Sequence, residues 1–258
     1  MKIIDVSVFN GAIAWHKVAN NCDGAIIRAG YRGYGNGVLV TDKNFKANIE
    51  AAKAAGVKLG VYFVTQAINE AEARAEARYI MELIKGYKLL LPIFIDSEDA
   101  NHGAGRADNG KLSRNNRTNI LKAFCYEVQK EGYAAGIYAS EYWFKNLVNF
   151  EELKSFYLWV AKYSVKEPTI EWDAWQYTDK GRIDGIIGNV DVSDFESLIS
   201  DAITSEINTI PRKTDEQIAN EVIAGIWGNG QQRKEKLTAA GYDYNKIQDL
   251  VNKKLRKR

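Results

Sequence analysis

Eight short apolar, β-branched runs, the early ones separated by helix-periodic segments, predict an α/β fold whose strands close into a barrel. A polar stretch after residue 204, followed by three short amphipathic segments, adds a small C-terminal three-helix bundle. The expected architecture is an eight-stranded TIM-like barrel with an incomplete helical ring over residues 1–204, a linker at 205–213 and a helical module at 214–258. A chain of 258 residues has room for one barrel with a large core and one small module.

The predicted strands are 3–7, 24–30, 57–63, 91–96, 134–138, 157–163, 173–177 and 187–191. Helix periodicity fills 42–55, the Ala/Glu-rich 69–84, and 113–130, with Ser113 placed to cap the last. Helices between such runs imply right-handed βαβ units and parallel pairing, and eight strands suggest closure. After the fifth strand the connections shorten, which leaves the outer ring incomplete. In the tail, Thr214 and the acids Asp215 and Glu216 read as a helix start, and Ile218, Val222, Ile223 and Ile226 recur at helical spacing. Gly228-Asn229-Gly230 stops that helix. A second helix over 231–240 ends at Gly241, and a third spans 244–255.

The segment Leu91-Pro92-Ile93-Phe94-Ile95-Asp96-Ser97-Glu98-Asp99 ends a buried strand abruptly in three acids. Residues two apart on a strand face one way and lie roughly 6.6 Å apart, so Asp96 and Glu98 form a candidate carboxyl pair of the kind that glycoside hydrolysis uses. The same segment reads equally well as a strand-end turn with solvated acids. Barrel closure favours a site. Parallel barrels carry their chemistry at the C-terminal ends of the strands, where Asp5, Arg28, Tyr62, Asp96, Glu98, Tyr138, Trp159, Gln176 and Asp191 all fall. Closure also makes the first and last strands neighbours, which brings Asp5 beside Asp191. Acids rimmed by aromatic rings suit a carbohydrate, whose hydroxyls need acceptors and whose C–H faces stack on rings.

Other chemistries are disfavoured. Two isolated histidines, His16 and His102, with two separated cysteines, Cys22 and Cys125, make neither a metal site nor a Ser/His/Asp triad, and no cofactor is expected. The cysteines read as free thiols. The glycine-rich run 30–37 lacks the Lys-Ser/Thr of a phosphate loop and reads as a flexible edge of the cleft. Trp143 and Trp172 fit sugar platforms or ordinary packing equally.

Taken in order, Asp5-Val6-Ser7, Asn10 to Trp15, Ile26-Ile27-Arg28-Ala29-Gly30-Tyr31, Gly60-Val61-Tyr62-Phe63, Ile95-Asp96-Ser97-Glu98, Gly136-Ile137-Tyr138, Leu158-Trp159-Val160-Ala161, Trp175-Gln176-Tyr177-Thr178 and Val190-Asp191 resemble glycoside hydrolase family 25. These are lysozymes (N-acetylmuramidases) with a flattened, incompletely covered barrel, and the resemblance covers roughly residues 1–200. It implies that Glu98 is the general acid. Asp96 would orient the substrate's acetamido group or stabilise the transition state, and Asp5 and Asp191 would hold the geometry and charge of the cleft. Arg28, Tyr62, Tyr138, Trp159, Gln176 and Tyr177 would bind substrate. Ala14 departs from relatives that carry an acid before the Trp, a position away from the four carboxyls. The tail resembles a cell-wall-binding repeat of some phage lysozymes, here in one copy, with Trp227, Asn229, Arg233, Tyr242 and Asp243 as its implied binding residues.

Charge fits two roles. Residues 212–258 carry 11 Lys/Arg against 6 Asp/Glu, whereas the preceding part carries 24 against 27, so a basic module follows an acidic domain. That suits an anionic wall of peptidoglycan and its polymers, while nucleic acid is not expected as a partner. The basic end 253–258 reads by itself as a solvated terminus. Asp5 arrives before any apolar signal region forms and no run reaches membrane-spanning length. The expectation is an endolysin held in the host cytoplasm until it reaches the wall, with a bacterial autolysin as the alternative origin. A non-hydrolytic glycan binder on the same scaffold, or a related chitinase, are the competing functions.

Overall fold

The computed structural model describes residues 1–100, 103–196, 215–239 and 242–255. The chain divides into two compact units, Met1–Thr204 and Ser205–Arg258. The expected linker, Thr214, His102, Gly241 and the end of the second tail helix lie outside the described residues.

The first unit runs β1 (Lys2–Val6), a four-residue α1 (Trp15–Val18), β2 (Gly24–Arg32), β3 (Leu39–Thr41), α2 (Phe45–Ala54), β4 (Lys58–Val64), α3 (Glu70–Leu83) and β5 (Ile93–Asp96). It continues through α4 (Arg114–Lys130), β6 (Ala135–Ser140), α5 (Glu141–Asn146), β7 (Tyr157–Ala161), β8 (Ala174–Gly181) and β9 (Val190–Phe195). Helix starts follow the side-chain chemistry: Asn69 accepts from Glu72 N at the head of α3, and Ser113 accepts from Asn116 N at the head of α4.

The strand order β1-β9-β8-β7-β6-β5-β4-β2, closed by pairing of β1 with β2, makes an eight-stranded barrel, with β3 added as a hairpin arm on β2. Two points differ from the sequence expectation. The last barrel strand is 190–195 rather than 187–191, and it runs antiparallel to both its neighbours. The link 182–189 is too short for the dozen or more residues a parallel crossover needs, so the chain turns back directly. β3 is the second difference: the run 30–37 continues β2 to Arg32 and then turns into an arm. There Gly30 passes so close to the arm that a Cβ would lie 2.2 Å from the Val40 carbonyl. The ring is incomplete as expected, with no helix in 162–173 or 182–189.

Alternation along the strands explains both core and site. On the lumen face, Ile3 precedes Asp5, Ile26 precedes Arg28, Gly60 precedes Tyr62, Phe94 precedes Asp96, Gly136 precedes Tyr138 and Ala174 precedes Gln176. The lower members fill the barrel. Phe94, Trp159 and Phe195 meet edge to face, with ring centroids 5.0 to 6.0 Å apart. A lumen this narrow takes large side chains only opposite small ones, and a Cβ on Gly136 would meet the Phe94 ring at 2.3 Å. The upper members form a polar layer at the mouth. The outer faces of the strands pack Ile4, Ile27, Val61, Ile95 and Ile137 against Ile49, Ala77, Ile80, Phe124 and Val128 of the helices.

The second unit contains α6 (Asp215–Ile223), α7 (Gly230–Ala239) and α8 (Tyr244–Leu255) around Ile218, Ala219, Val222, Leu237, Ile247 and Val251.

Candidate active site

Asp5, Asp96, Glu98 and Asp191, from three strands and the loop after β5, line one cavity of about 160 Å³ at the barrel mouth, together with Tyr62, Tyr138, Trp159, Tyr163 and Gln176. Asp5 and Asp191 are directly opposed in the β1–β9 ladder, a placement that depends on closure and survives the reversal of β9 because both residues still lie at the same rim. Cross-strand partners hold their Cβ atoms about 4.5–5.5 Å apart, so the two carboxyls repel.

Gln176 organises the floor. Its amide donates to Asp5 Oδ2 at 2.8 Å, and its Oε1 accepts from the Tyr138 hydroxyl at 2.8 Å and the Tyr163 hydroxyl at 2.9 Å. Trp159 is buried and fixed by a 3.0 Å bond from its indole N–H to Ser193 Oγ. Asp96 is buried, and its Oδ1 has no hydrogen-bond partner among the described residues. Glu98 differs from the others in that its side chain is exposed and makes no hydrogen bond to another described residue.

The four carboxyls are all shifted in the same direction. Burial, then repulsion from Asp191, raises Asp5 well above the usual carboxylate range. Burial, then Glu98 and Asp5, does the same to Asp96. Glu98 is raised by the protein mass packed around its carboxyl and by Asp191 and Asp99, although solvent reaches its side chain from the cleft. Burial, then Asp179, pushes the half-buried Asp191 up to about 6. Arg28 opposes these shifts at Asp96 and Glu98.

Glu98 also borders a second, larger cavity of about 510 Å³, walled by Phe9, Tyr31, Tyr34, Val40 and Val64, with Arg28 in it. Arg28 is held by Asp42, with Nε and Nη2 each 2.7 Å from Oδ2, and its guanidinium lies 4.9 Å from the Phe9 ring centroid. Thus Arg28 belongs to this neighbouring cavity. Tyr177 lines neither cavity. It follows Gln176, so strand alternation turns it outward, where it meets Trp175. Trp172 also packs on Trp175, and Trp143 lies under the Arg117 guanidinium at 4.2 Å. Sequence reasoning did not single out Tyr163, Asp42 or Tyr34. Among the described residues no group of three or more His, Cys, Asp or Glu is arranged to hold a metal ion, and both cysteines are free.

In the second unit, Trp227 and Tyr242 meet edge to face at 6.1 Å, and Arg233 bridges Asn229 Oδ1 at 3.0 Å and Gln248 Oε1 at 3.1 Å. Those four cluster. Asp243 is used locally, accepting from the backbones of Asn245 and Lys246 at the head of α8.

The family model described as Glycosyl hydrolases family 25 matches residues 4–186, well over half of the chain. The chain belongs to this family. The match to family 25 runs from β1 through β8 and stops before β9, and a CW_7 repeat matches residues 216–255. Similar proteins include the lysozyme of Streptococcus phage Cp-7, 30% identical over 198 residues that cover 71% of this chain and 52% of the relative. The autolytic lysozyme of Clostridium acetobutylicum is 27% identical, covering 77% of this chain and 57% of the relative. The chain therefore spans little more than half the length of these two family members. Among solved structures, the modular autolysin LytC of Streptococcus pneumoniae aligns with a TM-score of 0.64 at 31% identity, covering 74% of this chain and 46% of that one. The catalytic domain of endolysin ply40 from bacteriophage P40 of Listeria monocytogenes shares the fold, at 0.65 and 23% identity, covering 79% and 96%.

Proposed function

We propose that this chain hydrolyses the β-1,4 bond between N-acetylmuramic acid and N-acetylglucosamine in bacterial peptidoglycan. The observation that carries the reading is the shared cavity of four raised carboxyls in which Glu98 has the exposed side chain, while Asp191 is half-buried and Asp5 and Asp96 are buried. In this scheme Glu98, whose raised pKa favours the protonated form, donates to the leaving O4 of N-acetylglucosamine as the C1–O4 bond breaks. Asp96, which lines the cavity, accepts the acetamido N–H of the muramyl residue and holds that group against the developing positive charge at C1. Water then adds at C1 and returns its proton to Glu98. Asp5 is tied into the network through Gln176, and Asp191, opposite it in the β1–β9 ladder, supplies negative charge near an oxocarbenium-like centre above its pKa of about 6. In this reading sugars lie on both sides of Glu98, one in the acidic cavity and one along the aromatic wall with Arg28; the support is that Glu98 lines both cavities. Tyr62, Tyr138 and Trp159 shape the first of these.

An inert glycan binder would gain nothing from four neighbouring carboxyls, whose burial and mutual repulsion cost stability. The second unit holds the enzyme on peptidoglycan through Trp227 and Tyr242, which pack together, and Asn229 and Arg233, which are hydrogen-bonded, and its positive charge adds attraction to anionic wall polymers. The protein acts at the wall after release from the cytoplasm of the host cell. No helix among the described residues is long and apolar enough to cross a membrane. Glu98→Gln keeps shape but has no proton to give, so turnover on purified walls should fall by about 10²- to 10⁴-fold with folding intact. Turbidity loss at the unsubstituted rate by a folded Glu98→Gln protein would remove Glu98 from the reaction.

A further inference from the structure

The loop that carries Glu98 beyond β5 is fastened by a buried side chain for which the reaction scheme has no use. Asp108 is completely buried, and its carboxylate accepts from three donors: Ala100 N at 2.8 Å, Gln66 Nε2 at 3.3 Å and Gly105 N at 2.7 Å. Gln66, buried just past β4, returns its Oε1 to the backbone N–H of Ala107 at 3.0 Å. Arg117 on α4 donates to the carbonyls of Ala107 and Asp108 at 2.6 and 3.1 Å. The packing is close enough that a Cβ on Gly105 would lie 2.0 Å from Asp108 Oδ1.

Glu98 therefore sits between two fixed points. On the strand side, Ser97 N donates to the Tyr138 carbonyl at 2.9 Å, and on the loop side Ala100 N is held by Asp108. Its own carboxyl has no hydrogen bond to another described residue, so its position follows from the anchors on either side, to which Asp99, accepting from Asn109 N at 2.6 Å, adds another. Proton delivery needs the donor within about 2.6–3.2 Å of the glycosidic oxygen.

We propose that Asp108, acting with Gln66 through Ala100, is a positioning residue for the general acid. The inference rests on the reading of Glu98 as that acid. An Asp108→Asn amide offers one acceptor oxygen where the carboxylate offers two, so Ala100 N and Gly105 N cannot both be served. One of them then faces an NH₂ donor, and the loop end that carries Glu98 shifts.

The test compares two substrates. An oligosaccharide of the wall glycan needs a proton on its leaving oxygen, whereas a 2,4-dinitrophenyl β-glycoside of the same disaccharide releases a stable phenolate without one. For Asp108→Asn the expected kcat loss on the oligosaccharide is about 10- to 100-fold, the range for a displacement near 1 Å. That loss should exceed the loss on the aryl glycoside at least about tenfold, with KM on the oligosaccharide changed less than about threefold. Equal losses on both substrates, or no loss on the oligosaccharide, would overturn the proposal. Should Asp108→Asn fail to fold, Gln66→Met, which removes the acceptor of Ala107 N and a donor to Asp108, carries the same comparison. An unsubstituted protein inactive on the oligosaccharide would instead refute the proposed reaction. If it is active and Glu98→Gln shows the leaving-group dependence while Asp108→Asn does not, only the tether is refuted.

Discussion

Replacing Asp191 with Asn should stabilise the barrel near neutral pH while impairing its activity, because the two opposed carboxyls at the β1–β9 seam are held at a cost. Burial, then Asp179, pushes Asp191 up to about 6 from an ordinary value of 3.8. A carboxyl whose folded pKa is raised contributes stability that is fully present below its unfolded value and is lost as pH rises through the folded one. The loss therefore falls between about pH 4 and pH 6. The full shift would correspond to about 3 kcal/mol at 1.36 kcal/mol per unit, but the side chain is only half-buried, and solvent screening reduces that to on the order of 1 kcal/mol. Asn also lifts a repulsion that raises Asp5, so the gain is not cancelled at the partner. For a domain of this size, about 1 kcal/mol moves Tm by roughly 2–4 °C. Thermal unfolding from pH 4 to pH 8 should show the two proteins together at pH 4 and the Asp191→Asn protein higher by that amount at pH 7, with wall lysis reduced. Parallel Tm curves at all pH values, or a lower Tm for the variant at pH 7, would refute the reasoning.

Gly136→Ala should destabilise the barrel by about 1–3 kcal/mol, read as a lowered urea midpoint, because its methyl would enter the Phe94 ring; an unchanged midpoint would mean that the lumen is less tightly filled than described. Gln176→Leu strands the hydroxyls of Tyr138 and Tyr163 and an oxygen of Asp5, and at about 1–3 kcal/mol for a buried group left unsatisfied it should lower Tm and activity together. A chain ending at Thr204 should cleave soluble glycan fragments at near-normal rate and lyse intact walls more slowly, with the gap narrowing as salt rises if charge dominates; equal lysis at all ionic strengths would deny the second unit a role as anchor.

Much of the barrel was legible because a buried strand announces itself by apolar content and a helix by its period. Direction was not legible in that signal, since strand alternation reads the same both ways. Parallel pairing is therefore the expectation for the last strand too, and β9 runs the other way; the link between the expected strands, 178–186, is itself short of a parallel crossover. β3 has three residues, too few for a pattern, and it hid in a glycine-rich run. At the site, Asp5, Asp96 and Asp191 stand out because each interrupts or ends an apolar run, and Glu98 because it lies two residues beyond Asp96. Tyr163 was passed over because only the fold returns it to Gln176, 13 residues on. Asp42 looked like the start of a helix, and no local spacing reveals its grip on Arg28. Tyr177 could have been set aside from sequence alone: if Gln176 faces the lumen, its neighbour faces away. Asp108 carries no sequence signal, since one acid in a glycine-rich loop looks like any turn residue.

Which bond is cut decides most directly between a muramidase and the other wall hydrolases. Purified peptidoglycan should be digested with the protein, reduced with borodeuteride and analysed by mass spectrometry. New fragments ending in reduced, deuterium-labelled N-acetylmuramic acid are the predicted result. Fragments ending instead in reduced N-acetylglucosamine, or new peptide termini without new reducing sugars, would contradict it.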